Sequence, residues 1–204
     1  MDYLIILDFE ATCDEPINPD PQEIVEFPSI VYNLKKNKIE DSFESFVKPI
    51  YNPILTDYCK NLTTITQNQV NTSKTFSEVY TNYLQWVSKY KSEKAVILTY
   101  GDWDLRKCLT KQLEVSGCER DSIFNRWINL KKITTKFLGK SSSFEDLTNS
   151  LNIQREGILH RGIDDCRNIL TVVKYLDKNF EIDWEPTCFL GTNEYKKWIK
   201  SQKK

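Results

Sequence analysis

Two carboxylates, Asp8 and Glu10, stand two residues apart at the end of five consecutive apolar side chains, Tyr3 to Leu7. An apolar run of that length reads as a strand buried on both faces. Residues i and i+2 of a strand share a face, so the two carboxylates project side by side. Adjacent buried carboxylates repel each other unless a cation lies between them. Hard oxygen donors of this kind suit Mg²⁺ or Mn²⁺. On these residues alone, a strand that simply ends in acidic loop residues is the competing interpretation. An EF-hand reading of Asp8-x-Glu10-x-Thr12-x-Asp14 fails, because Cys13 stands where that loop needs glycine and Pro19 where it needs an acid.

Three further polar residues fall where strands meet helices. Asp104 lies in the first turn of a helix that follows a second buried strand, Ala95 to Tyr100. By itself it is explained equally well as an acid favoured by the helix dipole. Asp165 precedes Ile169 by four residues and so shares the core-facing stripe of its helix, where a carboxylate is costly unless paired or bound to metal. Asp164 points elsewhere and is expected to be solvated. His160 is the sole histidine. It is expected on a flexible turn between Gly157 and Gly162, with an unperturbed pKa near neutrality that suits a general base.

The elements that must position these groups can be traced in order. Ala11 to Glu23 is a loop rich in proline and acid. Residues 26–34 and 39–47 alternate as two strands joined by the polar turn Lys35-Lys36-Asn37-Lys38. Residues 56–70 read as short helical pieces. Thr75 with Glu78 is a capping box opening a helix whose core stripe is Phe76, Val79, Tyr80, Tyr83, Trp86 and Val87. Asp102 reads as the N-cap of a helix ended by Gly117, and residues 127–130 form a short strand. Ser142 with Glu145 is a second capping box, and the last strong helix starts at about Gly162. This alternation predicts one α/β domain, a mixed central β-sheet flanked by helices on both faces. The expected boundaries are 1–180 for that domain and 181–204 for an extension packing on it or trailing from it.

Charge is distributed unevenly. Residues 1–34 hold eight acidic side chains and no Lys or Arg, which leaves a net +7 on the remainder. An acidic centre in a basic surround suits an enzyme that holds metal and attracts a polyanion. The lysines at 196, 197, 200, 203 and 204 are equally explained as a solvated tail. Six cysteines without a C-x-x-C pair argue against a zinc module and for free thiols in cytosol or nucleus. No membrane span or secretory leader is read in the sequence.

The ordered set Asp8-x-Glu10, Asp104 within Gly101-Asp102-Trp103-Asp104, and His160-x-x-x-x-Asp165 resembles the three motifs of the DEDDh 3′–5′ exonucleases. The flanking words Leu7-Asp8-Phe9-Glu10-Ala11-Thr12-Cys13, Gln22-Glu23-Ile24-Val25-Glu26-Phe27-Pro28 and Asp102-Trp103-Asp104-Leu105 are similar to those of the enhancer-of-RNAi, or 3′ histone-mRNA exonuclease, family. The resemblance runs from about Tyr3 to Leu176. It implies a ribonuclease H-like fold and release of nucleoside 5′-monophosphates from single-stranded RNA 3′ ends or short overhangs. It implies Asp8, Glu10, Asp104 and Asp165 as ligands of two Mg²⁺ ions, with Mn²⁺ able to substitute, Glu10 and His160 as catalytic residues, and His160 as the general base. Phe9, Trp103 and Leu105 become candidate substrate contacts, each with core packing as its alternative, and Ala11 and Thr12 are further candidates. Leu62-Thr63-Thr64-Ile65 resembles the L-T-G-I segment near the last nucleotide, so Leu62, Thr63 and Ile65 join them, while Thr64 replaces the usual glycine. Some family members carry a nucleic-acid-binding module ahead of the nuclease. With the catalytic strand starting at Tyr3 none is expected here, so substrate choice falls to the domain or to a protein partner. A DNA-preferring exonuclease and a catalytically idle RNA-binding scaffold are the rival functions.

Overall fold

The computed structural model describes residues 1–91, 94–139 and 142–191. In chain order its elements are β1 (Tyr3–Leu7), β2 (Glu10–Ala11), β3 (Ile24–Asn33), β4 (Lys38–Phe46), α1 (Asp57–Thr63), α2 (Gln67–Asn71), α3 (Phe76–Val87) and β5 (Ala95–Thr99). A π-helical segment, Trp103–Cys108, then leads into α4 (Leu109–Ser116), followed by β6 (Arg126–Asn129), α5 (Leu130–Leu138), α6 (Phe144–Ser150), α7 (Gly162–Asn179) and β7 (Cys188–Phe189). The strands form one mixed sheet in the order β2-β3-β1-β5-β6-β7, with β4 also paired to β3.

The period-two alternation of β1 sorts its side chains between two cores. Ile5 and Leu7, with Phe9 and Ala11 beyond them, pack on the face covered by α3 and α4. Leu4 and Ile6 pack on the opposite face, against α5 and α7 through Ile133, Ile169, Val173 and Leu176. Helices therefore cover both faces, and the stripe expected along α3 is buried except for the half-buried Trp86. Asp8 and Glu10 continue the even-numbered set, and so project on the α7 side.

Several elements differ from expectation. The predicted single strand through Glu10 is interrupted at Asp8 and Phe9. Leu7 pairs with Ser29 and Glu10 with Glu26, which fit one register, but the residue opposite Asp8 in that register is Pro28, which has no N–H to give the ladder. Helix α5 was not anticipated, because the strand before it turns into helix with no loop. Asn129 ends β6 and its side chain caps the Lys132 N–H. The second cap lies one residue later than predicted. Ser143, not Ser142, accepts from the Asp146 N–H at 3.0 Å and donates to its carboxylate at 2.8 Å. Of the two alternatives for the extension, its described residues 181–191 follow the one that packs on the domain. Trp184 is buried and donates to Asp177 at 3.0 Å, and β7 adds antiparallel to β6. The lysines from 196 onward lie outside the described residues.

Thr64 closes α1 with φ +60°, the left-handed conformation usually given to glycine and unfavourable for a β-branched side chain. Thr64→Gly is expected to stabilise the fold by about 1 kcal/mol. An unchanged midpoint in urea unfolding would show that the turn carries no such strain.

Candidate active site

The parallel pairing of β1 with β5, Ile6 beside Leu98, brings the ends of both strands together. That places the chain after β5 beside Asp8. Asp104 is buried there and its Oδ1 accepts a hydrogen bond from the Phe9 N–H at 3.0 Å, the donor that lies in the break between β1 and β2. Asp102 occupies the N-cap position, but its side chain does not cap. Its Oδ1 accepts from Trp127 Nε1 at 3.1 Å, Asn129 Nδ2 at 3.0 Å and Cys188 Sγ at 3.1 Å, tying the turn to β6 and β7.

Helix α7 reaches the same point from the opposite face. A Cβ on Gly162 would lie 2.7 Å from the Asp8 carbonyl oxygen and 2.7 Å from Pro28, so only glycine permits this approach. Asp165, one turn on, then meets the strand acids. Carboxylate oxygens of Asp8, Glu10 and Asp165 lie within 4.8 Å of one another. Burial pushes Asp8 and Glu10 well above the ordinary carboxylate range, reinforced at both by repulsion from Asp104, Asp165 and Glu26 and at Glu10 by Asp8. Burial likewise pushes Asp104 and Asp165 up to about 6, at Asp165 against the opposing charge of His160.

His160 is exposed, at φ +58°, in a cleft of about 300 Å³ that it shares with Asp8, Asp165, Tyr100 and Arg155. Its turn is tied to α7. Asn168 accepts from the Glu156 N–H at 2.9 Å and donates back to its carbonyl at 3.0 Å. Asp164, expected to be solvated, accepts from the Ile158 N–H at 3.1 Å and pairs with Arg167 at 2.6 Å. A main-chain amide next to a helix start is a ready partner for a short acid, which is why Asp164 turns inward.

Two residues of this site were not picked out from the sequence as functional. Glu26, opposite Glu10 in the sheet, is fully buried and accepts from Arg161 Nε and the Gly162 N–H, each at 3.0 Å. Arg161 also pairs with Glu44 and lies over the Phe46 ring at 4.8 Å. An acid at a position buried on every side of β3 was the available signal for Glu26. Arg161 is therefore a positioning residue, anchoring the start of α7 beside His160. Arg161→Ala is expected to cost about 2–3 kcal/mol by leaving the Glu26 carboxylate unpaired. A loss within the error of urea unfolding would refute that anchoring role.

The expected substrate contacts divide by exposure. Trp103 is 38% exposed and Leu62 half-buried. The side chains of Phe9, Ala11, Thr12, Thr63, Ile65 and Leu105 are buried.

The acids fit a divalent cation, since three convergent carboxylates are a hard-oxygen donor set that repels itself without one. The folded chain binds protons more tightly at Asp104 and Asp165 than an unfolded chain would, so between about pH 4 and 6 metal-free stability falls as pH rises. A cation favours the ionised carboxylates and opposes that trend. Mg²⁺ is therefore expected to raise the melting temperature more at about pH 8 than at about pH 5.5. Equal shifts at both pH values would contradict the assignment of these acids as ligands.

The Exonuclease family model matches residues 5–173. Human ERI1 exoribonuclease 3 is 37% identical over 180 residues, covering 85% of this chain and 53% of that protein. Human 3′-5′ exoribonuclease 1 is 36% identical over 192 residues, covering 89% and 54%. The chain thus spans about half the length of these curated relatives. Among solved structures, the nuclease domain of 3′hExo, described as a DEDDh family member bound to rAMP, superposes with a TM-score of 0.83 at 32% identity, covering 90% of this chain and 97% of that one. With the family model matching most of its length and a DEDDh nuclease superposing on its ribonuclease H-like sheet, the chain belongs to the exonuclease family, as a DEDDh member.

Proposed function

We propose that the chain is a metal-dependent 3′–5′ exoribonuclease acting on single-stranded RNA 3′ ends or short overhangs. The observation that carries this reading is the convergence of the Asp8, Glu10 and Asp165 carboxylates within 4.8 Å, with His160 in the same cleft. Asp8, Glu10, Asp165 and the adjoining Asp104 would hold two Mg²⁺ ions, or Mn²⁺ in their place, which when bound supply the positive charge that activates water and stabilises the leaving 3′-oxygen.

The chain's own residues do the rest. His160 takes the proton of the attacking water, and its exposed position lets it pass that proton to solvent. Glu10, fixed by the β2–β3 pairing, orients the water's approach through the acidic cluster. Trp103, exposed and next to Asp104 in sequence, would offer its ring face to the terminal base, a contact that tolerates any base. Relatives of this chain carry the name exoribonuclease, and a solved neighbour is described as recognising the 3′ end of a histone mRNA stem-loop, which supports RNA over DNA. Protein partners for substrate choice and a site of action in cytosol or nucleus belong to the same proposal.

Matched 5′-labelled single-stranded RNA and DNA, incubated with Mg²⁺ and resolved on a sequencing gel, test it. The expected result is a ladder shortening from the 3′ end, faster on RNA. Faster loss of DNA would make this a DNA-directed enzyme, and intact substrates with firm binding would make it a scaffold.

A further inference from the structure

The cleft that holds His160 also contains a strong positive charge. Arg155 lines it together with Asp8, His160 and Asp165, and is the only Lys or Arg among the described residues to do so. Burial pushes Asp165 up, and the positive charges of His160 and Arg155 act against that push, so the guanidinium is felt at the acids. The backbone fixes its place from both sides. The Ile153 N–H donates to the Thr148 carbonyl at 2.9 Å, and Glu156 exchanges two hydrogen bonds with Asn168 of α7.

The protein engages this guanidinium only in part. Nη2 meets Glu145 Oε1 at 3.1 Å, while Nε and Nη1 have no protein partner among the described residues. The Arg155 side chain is 20% exposed, but that of Glu145, on α6, is 65% exposed. An ion pair with one member so exposed contributes little, so an incoming anion can displace the carboxylate at small cost. Two parallel N–H groups of a guanidinium match two oxygens of a phosphate. Charge balance favours the phosphate of the substrate. Four ionised acids offset two divalent cations in full. They leave nothing over for a phosphodiester, whose negative charge grows as water adds.

We propose that Arg155 is the phosphate-binding residue of this cleft, its free N–H groups taking non-bridging oxygens of the RNA phosphate at the cleavage point while Glu145 competes for it. The identity of that phosphate rests on the exonuclease reading. A purely structural tie between α6 and the loop before His160 predicts the opposite behaviour of Glu145, because breaking the tie from either end would then do equal harm.

Calorimetric titration of the full chain with Mg²⁺ present tests this, comparing adenosine 5′-monophosphate with adenosine, which lacks only the phosphate. The parent should bind the monophosphate about tenfold or more the tighter. Arg155→Ala should lower monophosphate affinity about tenfold and slow RNA turnover by a similar factor. Its adenosine affinity and melting temperature should stay close to the parent's. Arg155→Lys, which keeps the charge without the fork, should fall between the two. Glu145→Gln should bind the monophosphate more tightly than the parent, because the competing carboxylate is gone. Equal losses of affinity in Glu145→Gln and Arg155→Ala would make the pair a structural tie and overturn the inference. A parent that binds both ligands alike, or an unchanged preference in Arg155→Ala, would overturn it too. A phosphate preference that Arg155→Ala abolishes, in a parent that shortens no RNA, would uphold the anion site and count against the exonuclease reading instead.

Discussion

Asp8→Ala is expected to lower turnover by about a thousandfold or more while leaving a cooperative thermal transition. Asp8 adjoins every part of the site. Its carboxylate converges with those of Glu10 and Asp165, and its carbonyl lies where α7 begins. Only the side chain is lost in the variant, so the backbone contact that seats α7 survives. The metal-free variant should melt no lower than the parent, because removing one of several mutually repelling carboxylates relieves strain. Mg²⁺ should then stabilise the variant far less than the parent. Loss of the thermal transition would mean that Asp8 is needed for folding and would sink this account of its role.

His160→Ala is expected to reduce turnover by about a hundredfold to ten-thousandfold with little change in Mn²⁺ affinity. The side chain is exposed and contributes nothing to either core, so the effect should be confined to proton transfer. Its backbone sits at φ +58°, which asparagine tolerates better than alanine. His160→Asn therefore separates the imidazole's contribution from any strain in the turn. The two variants should lose turnover alike. Parallel losses of turnover and metal affinity would assign His160 to metal binding instead.

The acids were legible because their positions obey simple periods. Asp8 and Glu10 follow the two-residue repeat of a buried run, and Asp165 follows the helical stripe of Ile169 and Val173. Those periods survive even where an element is interrupted, as Pro28 interrupts the ladder without turning Glu10 away. What the sequence hid depends on contacts between distant segments. Arg161 meets Glu26 across 135 residues, and nothing local to either predicts the other. Asp102 looked like a cap because aspartate at a helix start commonly is one, yet tertiary partners on β6 and β7 claimed its side chain. Leu105, buried directly after Asp104, shows the converse: a residue beside a site in sequence can turn its side chain into the core.

The central claim is that Asp8, Glu10 and Asp165 form one cation site that drives hydrolysis from the 3′ end. Its most direct test titrates chelator-stripped protein with Mn²⁺, following free metal by electron paramagnetic resonance and 5′-labelled RNA in the same samples. Binding and hydrolysis should rise together in the parent, and Asp165→Asn should weaken both. Full hydrolysis in excess chelator, or tight Mn²⁺ binding unaffected by Asp165→Asn, would contradict the claim.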